Sequence, residues 1–176
     1  MRRRRHFRRH FRHVGAELAS AASGADVVVF AAGSGAEDPD SMIDAVDGDG
    51  VSKAIEAARL ANISRLLLVS VFPEAWRERQ MPKSFEHYIE VKKRADVCLA
   101  RSPLDWIILR PSVLTDGPGQ GLTSLGPAEN HTQIPRDDVA ETIAVLLHMP
   151  GVRRRLLEVT AGGTAISEAV AAVVSR

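Results

Sequence analysis

Three uninterrupted apolar runs stand out along the chain: Val27–Phe30 within the stretch Ala25–Ala32, Leu66–Val69, and Trp106–Leu109. A fourth run, RRLLEVTAG ending at Gly162, is shorter and interrupted by Glu158. Short apolar runs bounded by polar residues mark strands inside a parallel sheet, and the first is expected to be buried on both faces. Between them the spacing turns helical. Residues 14–23 suit a helix stopped by Gly24, and residues 41–62 suit a second that is firm from about Gly50 and packs through Val51, Ala54, Ile55, Ala58 and Leu60-Ala61. A third buries Phe85, Ile89, Val91, Ala95, Cys98 and Leu99 and breaks at Ser102-Pro103. Downstream, Thr115–Gly121 is a turn cluster, and Gln133–Pro150 reads as an edge strand followed by a helix from near Asp137. Ile166–Val174 is a closing helix. Strands alternating with helices predict an α/β domain with a mostly parallel sheet.

Chemistry concentrates on the third helix. Tyr88 and Lys92 are four residues apart, so a helix stacks them on one face, one turn apart. A positive charge beside a phenol favours the phenolate, which would let the pair pass a proton nearer neutral pH than tyrosine alone. The competing reading is a core tyrosine with a lysine that merely snorkels past it. Asp47 and Asp49, near the start of the second helix, are expected to interact with its dipole rather than to act in catalysis. The histidines His87, His131 and His148 are scattered over different elements, so no metal site is expected. After Ser70 the polar, proline-containing segment VFPEAWRERQMPKS looks like a lid, with Trp76 and Met81 as candidates to line a pocket; a surface loop anchored by one aromatic is the alternative.

The segments ADVVVFAAG, VDGDGVSKAIEAA, RLLLVSV, Tyr88-x-x-x-Lys92, LDWIILRPSVLTDGPG and IPRDDVAETI, in that order, resemble an atypical short-chain dehydrogenase/reductase of the NAD(P)H-binding, NmrA-like kind. The resemblance runs from about Ala25 to the C-terminus. It implies a Rossmann-like sheet that binds NAD or NADP, with Tyr88, Lys92 and Ser70 catalytic. Tyr88 would exchange the proton, Lys92 would lower its pKa and hold ribose hydroxyls, and Ser70 would polarise a substrate carbonyl. Ala31, Ala32 and Gly33 would let the backbone pass close to the adenine side of the cofactor, and Pro111, Ser112, Val113 and Leu114 would face the nicotinamide. The substrate would be a small molecule that the sequence does not identify. The resemblance equally admits a non-catalytic cofactor-sensing or protein-binding relative.

The family's opening strand, its G-x-x-G-x-x-G turn and the following β/α units have no counterpart in these 176 residues. Gly33-Ser34-Gly35 does follow a strand, but the third fingerprint position is Asp38, followed by Pro39, and no helix opens on the glycines. An N-terminally truncated sheet is therefore expected, with impaired cofactor binding. The strand Val27–Phe30 would become an exposed edge through which the chain self-associates.

Composition changes this picture only at the N-terminus. A chain that is 45% hydrophobic and 26% charged is an ordinary single globular domain, expected over residues 14–176. Its one cysteine, Cys98, reads as a small buried hydrophobe, excludes an internal disulfide, and suits a reducing, cytoplasmic setting. The net charge of +1 conceals an arm, residues 1–13, with seven arginines and no acid; the remainder holds 16 basic against 22 acidic residues. An acidic body argues against a domain-wide nucleic-acid surface. The arm is expected to be disordered and solvated, or to be a start-site artefact; binding of nucleic acid or an anionic membrane through its arginines, Phe7 and Phe11 is the alternative.

Overall fold

The computed structural model describes residues 15–75 and 79–174. The expectations for the arginine-rich arm and for Trp76 lie outside the described residues. Helix α1 (15–21) is followed by β1 (Val27–Phe30), the short α2 (Asp40–Ile43), a π-helical turn (Asp44–Gly48) and α3 (Asp49–Leu60). Then come β2 (Arg65–Val69), α4 (Lys83–Ala100), β3 (Asp105–Pro111), β4 (Val113–Thr115), β5 (Leu122–Gly126), β6 (Gln133–Pro135), α5 (Arg136–Leu147), β7 (Arg155–Ala165) and α6 (Ile166–Val174). A five-stranded sheet has the order β1-β2-β3-β7-β5, and β4 and β6 form a separate parallel pair. The α/β class and the mostly parallel sheet are as the apolar runs require. No helix among the described residues is long and apolar enough to cross a membrane.

The chain divides into two compact units. The first takes in the described residues up to Leu68 together with Gln80–Trp106. In it β1 and β2 pair in parallel, Val27 to Arg65 through Phe30 to Leu68. Leu66, Leu67 and Leu68 are wholly buried, and α3 supplies Val51, Ala54, Ala57 and Ala58 to the same core. β1 lies at the edge of the sheet, as expected, but it is not buried on both faces: Val29 is 41% exposed, because the burial of an edge strand depends on one neighbour. The helix read over 41–62 is not uniform either, since its first part holds the π-helical turn. Such a turn inserts an extra residue and redirects the side chains that precede it.

The second unit takes in Val69–Arg79 and the chain from Ile107 onward. Here β3 pairs in parallel with β7, Ile107 to Arg155 through Pro111 to Val159, and β5 runs antiparallel to β7. Ile107, Ile108, Leu109, Leu157 and Val159 are buried in this core with Leu146, Ile166 and Val170 from α5 and α6. Between Thr123 and Ser124 the register slips, so that Thr123 faces Thr164 while Ser124 faces Thr160. Gly162 occupies this bulge: a Cβ there would lie 2.5 Å from both the Ser124 nitrogen and the Thr123 carbonyl carbon. Backbone cannot yield as a flexible side chain would. Gly162→Ala should therefore cost about 1–3 kcal/mol, the usual cost of overpacking. Denaturant unfolding will read it, and an unchanged midpoint would show that the bulge adapts freely.

Candidate functional site

Helix α4 starts after Pro82, whose ring cannot continue a helix upstream, and turns Ile89, Val91, Lys92, Ala95, Asp96 and Leu99 inward. Lys92 is therefore a buried cation, and its partner is Asp47. The Lys92 ammonium lies 3.3 Å from Asp47 Oδ1, with the two side chains 5% and 0% exposed. The π-helical turn accounts for the carboxylate's position. Gly48, the next residue, packs against Val91 so closely that a Cβ would sit 3.2 Å from Cγ1, and this approach carries Asp47 inward. Asp44, in the same turn, stays at the surface, where it meets Arg94 at 3.0 Å and His87 at 3.5 Å. Asp47 also accepts the Ser34 backbone N–H at 3.0 Å and the Ser34 hydroxyl at 2.7 Å through Oδ2. The helix-dipole role expected for Asp47 is thus replaced by a buried ion pair tied to the loop after β1.

Tyr88 is half-buried one turn before Lys92, with its ring tilted against Phe85 at 6.4 Å. The Lys92 ammonium stands 5.9 Å from the centre of the Tyr88 ring. Helical spacing does bring the two together, but not with the expected electrostatic result. Burial, reinforced by the negative charge of Asp47, pushes the Tyr88 phenol up from 10.0 to about 12. A lysine already held by a carboxylate presents little net positive charge to its neighbour. Tyr88 is consequently a phenol, and a hydrogen-bond donor, throughout the neutral range.

The loop after β1 carries Ala31, Ala32 and Gly33, all exposed. At Gly33 a Cβ would come within 3.3 Å of Asp47 Oδ1, so the bare glycine lets this loop lie against the carboxylate. These residues, Tyr88 and Lys92 all belong to the first unit.

Ser70, at the carboxyl end of β2, belongs to the second. Its N–H donates to the Leu109 carbonyl at 2.7 Å, which fixes the residue, but its buried hydroxyl has no hydrogen-bond partner among the described residues. Pro111 ends β3 and is buried, as is Ser112; Val113 and Leu114 enter β4, exposed and half-buried. The Ser112 N–H donates to the Val159 carbonyl, and its hydroxyl accepts the Thr132 N–H at 3.1 Å. The two serines differ in this respect: Ser112 is satisfied by the protein and Ser70 is not.

From the segment read as a lid, Phe72 is buried, and its ring meets His131 edge-on at 5.0 Å. Burial pushes the His131 imidazole down, opposed by the charge of Glu158. Met81 is half-buried. Cys98 departs from expectation: it is exposed, on the flank of α4, 3.4 Å from the Ser52 hydroxyl. The sequence signal for Asp47 was the pairing of a lysine on an apolar helix face with a glycine-flanked aspartate. A buried ammonium requires a counter-charge, and glycine permits the close approach.

A family model described as NAD(P)H-binding matches residues 13–150. Among curated proteins the chain is 38% identical over 158 residues to the uncharacterized sugar epimerase YhfK of Bacillus subtilis, covering 88% of this chain and 72% of the relative. Among solved structures it is similar to a Bacillus halodurans protein described as an NAD-dependent epimerase/dehydratase. That match has 33% identity, covers 88% of this chain and 72% of the other, and has a TM-score of 0.80. It is also similar to a short-chain dehydrogenase/reductase from Veillonella parvula in complex with NADP, at 25% identity and TM-score 0.64, covering 88% of this chain and 71% of that one.

Proposed function

The chain belongs to the NAD(P)H-binding family, and from that premise we propose that it is an oxidoreductase or epimerase-like enzyme acting at a carbonyl or secondary alcohol. The observation that carries the reading is the Ser70 hydroxyl. A buried hydroxyl left without a partner costs about 1–3 kcal/mol, and a substrate carbonyl oxygen accepting its proton would recover that loss. Tyr88, as a phenol, is the group that exchanges the proton. Lys92, held by Asp47, is the cation that binds ribose hydroxyls.

The residues present fit two separate parts of NAD or NADP, the adenine side at the loop after β1 and the nicotinamide side after β3. Ala31, Ala32 and Gly33 leave the backbone exposed after β1, and Pro111, Ser112, Val113 and Leu114 follow the carboxyl end of β3, where ligands bind in open parallel sheets. The bound nicotinamide would supply or accept the hydride. Binding is expected to be impaired by the lack of a glycine-rich turn within the 176 residues.

A second reading, a non-catalytic cofactor-sensing or protein-binding relative, is favoured by the raised Tyr88 phenol, since a base is what alcohol oxidation requires. The discriminating experiment is reduction of a panel of aldehydes and ketones at high NADPH or NADH, with Tyr88→Phe and Ser70→Ala. The enzyme reading expects turnover that falls about 100- to 10,000-fold in Tyr88→Phe, the usual contribution of general acid catalysis. Turnover indifferent to both substitutions, or none at all, would favour the second reading.

A further inference from the structure

In the second unit, the turn from Asp116 to Gly121 folds back over the start of α5 and leaves a hollow of about 270 Å3 beside the β4/β6 pair. Left to itself a turn containing Gly117, Pro118, Gly119 and Gly121 would sample many conformations. Asp138 prevents this. Its buried carboxylate accepts the Gln120 N–H at 2.8 and 3.1 Å and the Gly121 N–H at 2.8 Å. Gly121 takes a positive φ of 68°, and a Cβ at Gly119 would lie 2.8 Å from Asp138 Oδ1, so these glycines let the turn rest on the carboxylate. Arg136 secures the other end, its Nε donating to Asp116 at 2.8 Å. The hollow is thus formed before any ligand arrives, which lowers the ordering cost of binding.

We propose that this hollow binds one uncharged polyhydroxy group, a single sugar ring or a polyol of similar size. Among its lining residues Thr115 carries a hydroxyl and Gln120 and Gln133 carry carboxamides, side-chain groups for which no hydrogen bond within the protein occurs among the described residues. An amide offers both donors and acceptors, as a sugar hydroxyl does, so the two kinds of group pair in either direction. Pro118 and Pro135 add flat apolar faces suited to the C–H side of a ring. The charge of the lining is equally selective. Among the described residues that line it, Asp138 is the ionisable one and none is a cation, and the nearby Arg136 is engaged by Asp116, so a phosphate or carboxylate finds repulsion without compensation. Assigning the bound group to a substrate rests on the oxidoreductase or epimerase reading; the binding itself requires neither cofactor nor turnover.

The test is amide NMR of the whole chain titrated with D-glucose and glycerol, with glucose 6-phosphate as the charged comparator and no cofactor added. Saturable shifts are expected at residues 115–122 and 133–138. Gln120→Leu and Gln133→Leu, both surface changes, should each weaken glucose binding by about tenfold, the effect expected when a hydrogen-bonding group is lost. Glucose 6-phosphate should bind more weakly than glucose. The proposal is overturned if neither probe gives saturable shifts there, if both variants bind as the parent does, or if the phosphate ester binds more tightly. Carbonyl turnover without polyol binding would sink this inference alone, and polyol binding without turnover would sink the enzyme reading alone.

Discussion

Asp47→Asn is expected to destabilise the protein by about 3–5 kcal/mol, the range seen when one partner of a buried ion pair is removed, and to bring the Tyr88 phenol down from about 12. Asparagine is nearly the same shape and can still accept the Ser34 N–H and hydroxyl through its side-chain oxygen, so packing and the loop after β1 should persist. What is lost is the carboxylate charge 3.3 Å from a Lys92 ammonium that is only 5% exposed. Against a total stability of roughly 5–15 kcal/mol such a loss dominates, and it should appear as a large shift in the denaturant midpoint. The same charge acts on Tyr88. Burial is the larger reason for its raised pKa and Asp47 the smaller, so the variant should titrate between its unfolded value and about 12. Tyr88 is the single tyrosine in the chain, so phenolate absorbance reports on it alone. The linkage has a definite sign. A folded pKa above the unfolded value of 10.0 means that the native state holds its proton longer, so the stability this provides is intact below pH 10 and is lost between pH 10 and about 12. In Asp47→Asn that alkaline window should narrow. An unchanged midpoint together with an unchanged phenol titration would show that the pair neither stabilises the fold nor sets the proton affinity of Tyr88.

The elements that the sequence made legible are those whose burial follows from their own apolar pattern, two-sided in the strands and one-sided in the helix. Leu66, Leu67 and Leu68 in β2, Ile107, Ile108 and Leu109 in β3, and the helix Ile166–Val174 all lie where their apolar pattern puts them. Elements defined by a partner were harder to read. β5 has the polar sequence LTSLG, and it is a strand because β7 extends to Ala165 through a bulge and offers it a ladder. That information lies some 40 residues away, outside any local window. Cys98 was misplaced for another reason: Ala95 and Leu99 define the buried stripe of α4, and a residue on its flank is decided by a neighbouring helix, here through Ser52. The candidate site was half legible. Tyr88 and Lys92 share a face because 3.6 residues per turn requires it. The sign of the phenol's shift was not accessible, because it is set first by the burial of Tyr88 and then by Asp47, which the π-helical turn sends inward where a regular helix over 41–62 is assumed.

NADPH and NADH are expected to bind the 176-residue chain weakly, several orders of magnitude below the affinity of a complete dinucleotide site. In this fold the pyrophosphate rests on a glycine turn and on the N–H groups at a helix N-terminus, where the helix dipole favours negative charge. No G-x-x-G-x-x-G occurs among the 13 glycines of the chain. Nor do the N-termini of the helices α2 to α6 offer a substitute. Each has an acidic residue in its first turn, Asp40, Asp49, Glu86, the pair Asp137 and Asp138, or Glu168, and a carboxylate there already occupies the favourable end of the dipole and repels a phosphate. Charge-assisted hydrogen bonds contribute about 1.5–3 kcal/mol each, so two or three of them amount to roughly two to six decades of affinity. Calorimetry with each cofactor on the parent chain and on Lys92→Ala will decide. Micromolar binding by the parent chain, lost in a Lys92→Ala that still unfolds cooperatively, would overturn the expectation; binding too weak to measure would support it.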